Sequence, residues 1–389
     1  VVCTVKVQVH SSIDDISAAD WNRLAGDNPF LNQAFLAALE HSGSADAASG
    51  WRPLHLSYRD GSGSLLGVLP LYLKSHSYGE FVFDWAWADA YQRHGLSYYP
   101  KLVSAVPFSP VPGPRLLVTP AADRGEVVAA LLKELRELAK EHKASSVHCL
   151  FPLEQELSDW NQAGFLTRRD TQFHWHNRDY RDFEHFLAEF TADKRKKVHR
   201  ERRRIAEAGI EMRMLAGGEL DASLMDALYR FYLSTYEKRG RTAYLEKGFF
   251  EELRRTMPDA LRVCFAFLRG EPVAAAICLQ GGDTLYGRHW GSEQEFHSLH
   301  FEACYYQGIE YCIKTGLRHF NPGTQGEHKI SRGFEPTYTW SAHWLARPEF
   351  HAAIDEYLRR EQHLVTAYRR ETEAHLPFHA ERPARGHDD

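Results

Sequence analysis

The chain has six cysteines in 389 residues, with no CxxC pair and no Cys/His cluster at metal-ligand spacing, so the sequence offers no basis for a zinc site. Cys149, Cys264, Cys278, Cys304 and Cys312 lie in apolar or helical runs, which reads as a reduced, cytoplasmic protein. No stretch approaches the roughly 18 apolar residues that a membrane-spanning helix requires. The N-terminal residues show no basic segment followed by an apolar one, so no secretory leader is expected, although one trimmed before Val1 would leave the same pattern. There is no short-period repeat, which argues against solenoids and propellers, and no DNA-reading motif.

Composition is that of a globular protein. Hydrophobic residues make up 43% and charged residues 25%, and the 22 Phe and 18 Tyr can fill sizeable cores. The length suits two domains of about 100 to 200 residues. We expect one α/β unit over 1–178, a second over 179–376, and a loose polar tail over 377–389. The formal net charge of −5 hides an asymmetry: between Lys194 and Arg204 stand eight Lys or Arg and a single Glu. That segment is suited to meet an anion.

In the first unit the pattern predicts a strand at Cys3–Val9, a short helix around Trp21, and a helix over Phe30–Glu40 opened by Asn28-Pro29. A hairpin follows, Pro53–Tyr58 and Leu65–Leu73 around Asp60-Gly61-Ser62-Gly63. An aromatic, proline-rich loop then runs from Asp84 to Arg115. Beyond it come a helix over Gly125–Lys143, a strand over Ser146–Leu150, a short helix ending near Gly164, and a strand near Gln172–His176. The second half repeats the theme. Helices Ala222–Glu237 and Phe249–Met257 precede strands Arg262–Leu268, Val273–Gln280 and Thr284–Trp290, then a helix over Phe301–Thr315 and a strand over Arg318–Phe320. The fold class expected is α/β, with helices on a mixed sheet, twice.

The chemistry gathers between Tyr286 and Phe334. On a regular strand, Tyr286, Arg288 and Trp290 would face one way and Gly287 and His289 the other. Arg288 and His289 there are either solvated groups of an edge strand or side chains facing a cleft, with Gly287 letting a ligand approach. Glu302, in the first turn of the next helix, either complements the helix dipole or serves as a base. The segment from Asn321 to Phe334 holds three glycines, a proline and Gln325, Glu327, His328, Lys329 and Arg332, a mixture typical of a binding loop. Its amides, Lys329 and Arg332 could hold an oxyanion or a carboxylate.

Here the sequence resembles the bacterial FemAB-like N-acyltransferases, a branch of the GNAT superfamily associated with peptidoglycan biosynthesis or recognition. The resemblance is carried by HFEACYYQGIEYCIKTGL at 300–317, NPGTQGEHKISRGFEP at 321–336, NPFLNQAFLAALEHSG at 28–43, PLYLKSHSYGEFVFDWAWADAY at 70–91 and YYPKLVSAVPFSPVPG at 98–113. It implies two tandem GNAT-like domains and an amide-forming reaction. The related peptidoglycan-bridge transferases have a C-terminal lysine followed closely by Gly-Phe, matched here by Lys329 and Gly333-Phe334, and that lysine is held to steady an acyl carbonyl or an acceptor carboxylate. Their long coiled-coil insertion, associated with tRNA, is missing from this chain, which favours an acyl-CoA type of thioester over aminoacyl-tRNA as donor. The pyrophosphate loop of GNAT proteins, Arg/Gln-x-x-Gly-x-Gly/Ala, has a poor counterpart in Arg288-His289-Trp290-Gly291-Ser292-Glu293, where Glu293 replaces a small residue.

Two further segments carry candidates. A helix over Ala192–Ala208, capped by Thr191, carries cations around nearly its whole circumference, with an apolar seam of only Val198 and Ile205. It is either a solvated face or a phosphate grip, with Lys194, Arg195, Lys197, Arg200 and Arg204 meeting CoA, tRNA or an anionic membrane. The segment with His76, Asp84, Trp85 and Trp87 suits a small-molecule or lipid amine acceptor, or else fills a packed seam. The resemblance makes a long-chain amine such as a sphingoid base a plausible acceptor. In all, the sequence points to an acyltransferase with no tightly bound cofactor and no metal. Its acyl donor arrives as co-substrate, His289 or Glu302 acts as base, and Tyr286, Arg288, Gln325, His328, Lys329 and Arg332 line the site. The protein would be cytoplasmic, open to peripheral contact with the inner membrane. The alternatives are an aminoacyl-tRNA-dependent transferase and a non-catalytic protein that binds peptidoglycan or anionic lipid.

Overall fold

A computed structural model describes residues 6–324 and 326–379. Gln325, the first residues of the strand expected at Cys3–Val9, and most of the expected tail lie outside the described residues. The chain divides into two compact units. One takes the residues up to Asp170 together with Tyr244–Thr256 and Tyr338–Thr366; the other takes Thr171–Ala243, Met257–Thr337 and the chain from Ala367. Both are mixed α/β.

In the first unit, a four-stranded antiparallel sheet has the order Lys6–His10, His55–Arg59, Leu65–Leu69, Leu117–Val118. The hairpin at its centre is held by Asp60, whose carboxylate accepts from the amides of Ser62 and Ser64. Helix Arg124–Glu141 buries Val127, Val128, Leu131, Leu132, Leu135 and Leu138, a 3.6-residue period, in a core with Leu56, Tyr58 and Leu69. A second set of strands runs Trp51–Pro53, Tyr72–Lys74, Lys101–Ser104, Ser146–Leu150, with only the last two parallel.

In the second unit the strand order is Ile210–Ala216, Leu261–Leu268, Glu271–Gly281, Thr284–Ser292, His319–Asn321, and then the part of strand Leu166–His176 that follows Asp170. The pair Thr284–Ser292 and His319–Asn321 is the parallel one. It is in register for three residues, Thr284↔His319, Leu285↔Phe320 and Tyr286↔Asn321. The first strand then continues to Ser292, while the chain after Asn321 leaves through Pro322-Gly323 into a 3-10 helix, Glu327–Arg332. Helix Ala222–Glu237 lies on the Thr284–Ser292 strand so closely that a Cβ on Gly291 would stand 1.6 Å from the Phe231 carbonyl oxygen.

Several expected elements differ. The helix expected over Phe30–Glu40 begins at Gln33, because Asn32 supplies the cap and Phe30 and Leu31 are buried in the turn before it. The segment Asp84–Arg115 is no plain loop: it holds a helix, Trp85–Arg93, and the strand Lys101–Ser104. Thr191 occupies the N-cap of helix Ala192–Glu207 without a side-chain capping bond. The helix expected over Phe301–Thr315 is interrupted, with Leu299–Phe301 leading into a π-helical stretch, Glu302–Tyr306, and then Gln307–Thr315. The π-helical stretch buries four of its five residues, Glu302, Ala303, Tyr305 and Tyr306.

Candidate functional site

The strand carrying Tyr286 to Trp290 is bulged. His289 lies opposite Ile277 and Gly287 opposite Cys278, which leaves Arg288 as the extra residue. The expected alternation therefore fails: His289 shares a face with Tyr286, and Trp290 shares the other with Gly287. On its face His289 meets the Tyr232 ring edge-on at 5.0 Å, while Trp290 packs among Cys264, Ala276 and Ala303. Burial, with Arg288 beside it, pushes the His289 imidazole down to about 3. Burial likewise lowers the Arg288 guanidinium to about 10. Tyr286, Arg288 and His289 are half-buried. Gly287 does not open space for a ligand; a Cβ there would lie 3.3 Å from the Pro322 Cα and 3.4 Å from the Phe320 ring, so the glycine admits the crossing chain.

Lys329 lies in the 3-10 helix after the parting strands and is buried. Its Nζ donates to the Gly323 carbonyl at 2.6 Å. Burial lowers its amine to about 7; Cys304 nearby opposes that and Arg288 adds to it. Arg332, also buried, forks onto both oxygens of Glu201 at 2.8 and 2.9 Å and lies 3.5 Å above the Phe301 ring. Glu201 also accepts from the Tyr306 hydroxyl. The charge of Arg332 is thus committed within the protein. His328 is exposed at its edge and shares a hydrogen bond of 2.7 Å with the Tyr305 hydroxyl. Glu302 is buried. Its Oε1 accepts from Arg202 Nε at 3.2 Å and from Gln307 at 2.8 Å, and its Oε2 has no partner among the described residues. The buried Asn321 amide nitrogen, beside the point where the strands part, likewise lacks a partner among those residues.

Helix Ala192–Glu207 turns Val198, Glu201 and Ile205 inward. Of the predicted phosphate-binding residues, Arg200 and Arg204 are exposed and Lys194, Arg195 and Lys197 half-buried. Arg204 reaches His297 at 3.1 Å; the other four make no ion pair among the described residues. The stretch aligned with a pyrophosphate loop makes no open cradle. Gly291 is covered by helix Ala222–Glu237, the Ser292 carbonyl accepts from Lys238 at 2.7 Å, and Glu293 pairs with Arg230 at 3.2 Å.

The candidates of the first unit divide. Asp84 is buried, with Lys101 Nζ at 2.5 Å and the Tyr98 hydroxyl at 2.7 Å. Burial pushes its carboxyl up, but Lys101, His148 and Tyr98 together outweigh that and hold it at about 2. Glu80 lies 2.7 Å from the same ammonium, yet burial dominates and raises it to about 7. From Tyr98 the chain of bonds runs to His148 at 3.2 Å and on to His343 at 2.7 Å, whose ring meets Trp87 edge-on at 4.9 Å. His76 bonds the Ser49 carbonyl at 3.0 Å, and Trp85 faces solvent. Among the described residues no His, Cys, Asp and Glu side chains converge in a group of three that could hold a metal ion, and no helix is long and apolar enough to cross a membrane.

The sequence reading missed Glu201 and the pairing of Lys101 with Glu80 and Asp84. Glu201 was findable: it stands three residues after Val198 and four before Ile205, on the inward face, as the one acid among eight bases. Lys101 and Lys74 gave a weaker signal, a lysine at the end of an apolar strand run.

A search of curated proteins finds no match to this sequence. Among solved structures, FemX superposes with a TM-score of 0.54 at 12% identity, covering 90% of this chain and 100% of FemX. A conserved protein of unknown function from Bacteroides thetaiotaomicron gives 0.51 at 11%, covering 87% and 99%. L-PGS from Bacillus licheniformis gives 0.50 at 11%, covering 85% and 97%. These likenesses establish a shared fold. The FemAB-like family model, described as peptidoglycan biosynthesis/recognition, matches residues 12–380. The chain therefore belongs to the FemAB-like family and is a transferase built on the tandem GNAT fold.

Proposed function

We propose that this transferase joins an activated acyl group to an amine, with an acyl-CoA type of thioester as donor and a small-molecule or lipid long-chain amine as acceptor. The observation that carries the reading is Lys329: a buried amine with a single carbonyl partner, brought to about 7, beside parallel strands that part after three residues. A base works best when its pKa lies near the working pH. His289, at about 3, is too weak a base, and Glu302 is tied to Arg202 and Gln307.

In this scheme neutral Lys329 takes the proton from the acceptor ammonium. The freed amine attacks the thioester carbon, the C–N bond forms as the C–S bond breaks, Lys329 returns its proton to the departing thiolate, and the attacking nitrogen loses its second proton to solvent water to leave the neutral amide. The Asn321 amide, a buried donor with an open valence, is available to the developing oxyanion. Arg288 and Tyr286 line the cleft wall, with His328 at its edge. Lys194, Arg195, Lys197 and Arg200 attract the donor's phosphates, in place of the pyrophosphate loop that helix Ala222–Glu237 covers.

The test is turnover. Purified protein is supplied with acyl-CoAs of increasing chain length and a panel of amines, thiol release is followed, and products are identified by mass spectrometry. Amine-dependent CoA release is the expected result. Deacylation of charged tRNA, in place of acyl-CoA, would move the donor to aminoacyl-tRNA. No turnover with either donor would sink the catalytic scheme and leave recognition of peptidoglycan or anionic lipid.

A further inference from the structure

The segment from Ser75 to Ala88 of the first unit is inside out. Its two charged side chains are the buried ones, Glu80 at 4% exposure and Asp84 at 3%. Three of its aromatic side chains face water, Tyr78 at 57% exposure, Phe83 at 56% and Trp85 at 42%, with Phe81 and Val82 half-buried between them and Trp87 buried. Tyr78 and Trp85 are neighbours, with ring centroids 5.2 Å apart. In a chain whose residues are 25% charged, these fourteen positions put no charged side chain into solvent.

Water alone gives no reason for this arrangement. Taking carboxylates out of water costs several kcal/mol per ion unless they are paired, and exposed aromatic rings forgo the gain of burial. Both costs are accepted in one segment, and the segment is fixed from beneath. Lys101 bonds Glu80 and Asp84, Lys74 Nζ donates to the Tyr78 carbonyl at 3.3 Å, and Arg168 donates to the Phe83 carbonyl at 2.8 Å. The cations pull the acids and carbonyls inward, which leaves an outward face of rings and a methyl-bearing side chain. A protein surface of this kind suits a phase that is apolar within and polar at its edge.

We propose that Tyr78, Phe83 and Trp85 form a docking face for the head-group region of a lipid bilayer. Tryptophan and tyrosine are the side chains enriched at that depth, where the ring is buried and the polar tip stays wet. With Glu80 and Asp84 turned inward, the face presents no carboxylate of its own to repel lipid phosphates. The proposal is independent of the acyl-transfer scheme. It concerns residues of the first unit, whereas the cations of helix Ala192–Glu207 belong to the second.

The full chain is mixed with vesicles of phosphatidylcholine, and separately with vesicles containing phosphatidylglycerol, and co-sedimentation is measured. Vesicles with brominated acyl chains then quench the fluorescence of tryptophan at the bilayer. Trp85 is the one tryptophan with a strongly exposed ring among the described residues, so Trp85→Phe is expected to keep binding and lose most of the quenching. The double variant Phe83→Ser/Trp85→Ser is expected to bind at least tenfold more weakly at unchanged circular dichroism. Arg200→Gln/Arg203→Gln should leave binding to the uncharged vesicles as it was. The proposal is overturned if wild type binds neither vesicle, if quenching survives Trp85→Phe, or if the double serine variant binds normally. It is equally overturned if the aromatic face proves to mediate only concentration-dependent self-association in sedimentation velocity.

Discussion

Lys101 in the first unit and Lys329 in the second are both lysines withdrawn from water, and their amines are driven in opposite directions. Lys101 stands within 2.7 Å of two carboxylates, which outweigh burial and raise its pKa. Lys329 has a carbonyl and no carboxylate against it, so burial wins and brings it to about 7. The same residue type at the same depth becomes a structural charge in one place and a titrating amine in the other. Whether a buried lysine can move protons is decided by its neighbours, not by its burial.

The largest expected effect breaks the compensated side of this comparison. Lys101→Met leaves Asp84 buried without its ammonium, and removing one partner of a buried pair typically costs about 3 to 5 kcal/mol. Urea unfolding should show that loss. Adding Glu80→Gln and Asp84→Asn to the same variant should restore a large part of it, since no buried charge then lacks a partner. Lys101→Met with unchanged stability would mean that the cluster is not charged in the folded protein.

On the uncompensated side, Lys329→Ala should lower kcat/KM at least tenfold, about 1.4 kcal/mol of transition-state stabilisation, with the fold intact by circular dichroism. Near-normal turnover would remove Lys329 from the mechanism. A pH series sharpens the point. Turnover should rise with pH through a midpoint near 7 as the amine is freed, approaching tenfold between pH 6 and 8. Stability carries the same signature by linkage. The folded pKa lies below the unfolded value of roughly 10.4, so the unfolded chain binds the extra proton between about 7 and 10.4. The stability cost of Lys329 is therefore full below pH 7 and fades as pH rises through that window. Lys329→Met should flatten that part of the stability curve.

How much of this was legible in the sequence follows the same divide. Periodic elements were plain: helix Ala222–Glu237 has the predicted bounds, and the strands at 261–292 fall within two residues of expectation. The tandem GNAT fold came through long motif resemblance. What did not come through was set by long-range contact. The bulge at Arg288 arises from pairing with Ile277 and Cys278, and it reversed the faces assigned to His289 and Trp290. Gly287 and Gly291 were open to a ligand reading because nothing local announces Pro322 or Phe231 above them. The commitment of Arg332 to Glu201 joins residues 131 positions apart. Hydrophobic periodicity marks which face is buried, and it is silent on which charges will meet there.

Helix Ala192–Glu207 repeats the comparison on its own two faces, and the smallest predicted effect lies there. Inward, Glu201 compensates Arg332; outward, Lys196, Arg200 and Arg203 are exposed with no ion pair among the described residues. Like charges three and four residues apart on a helix cost roughly 0.2 to 0.5 kcal/mol per pair at low salt. Arg200 is so spaced from Lys196 and from Arg203, so Arg200→Gln should raise the thermal transition slightly, and the gain should shrink as salt screens the repulsion. If the outward cations hold the donor's phosphates, the same variant should raise the KM for acyl-CoA and flatten its dependence on salt, leaving kcat unchanged. A KM indifferent to both Arg200→Gln and salt would make the outward face a solvated one, and the donor's phosphates would then have to be held by residues of the cleft wall itself.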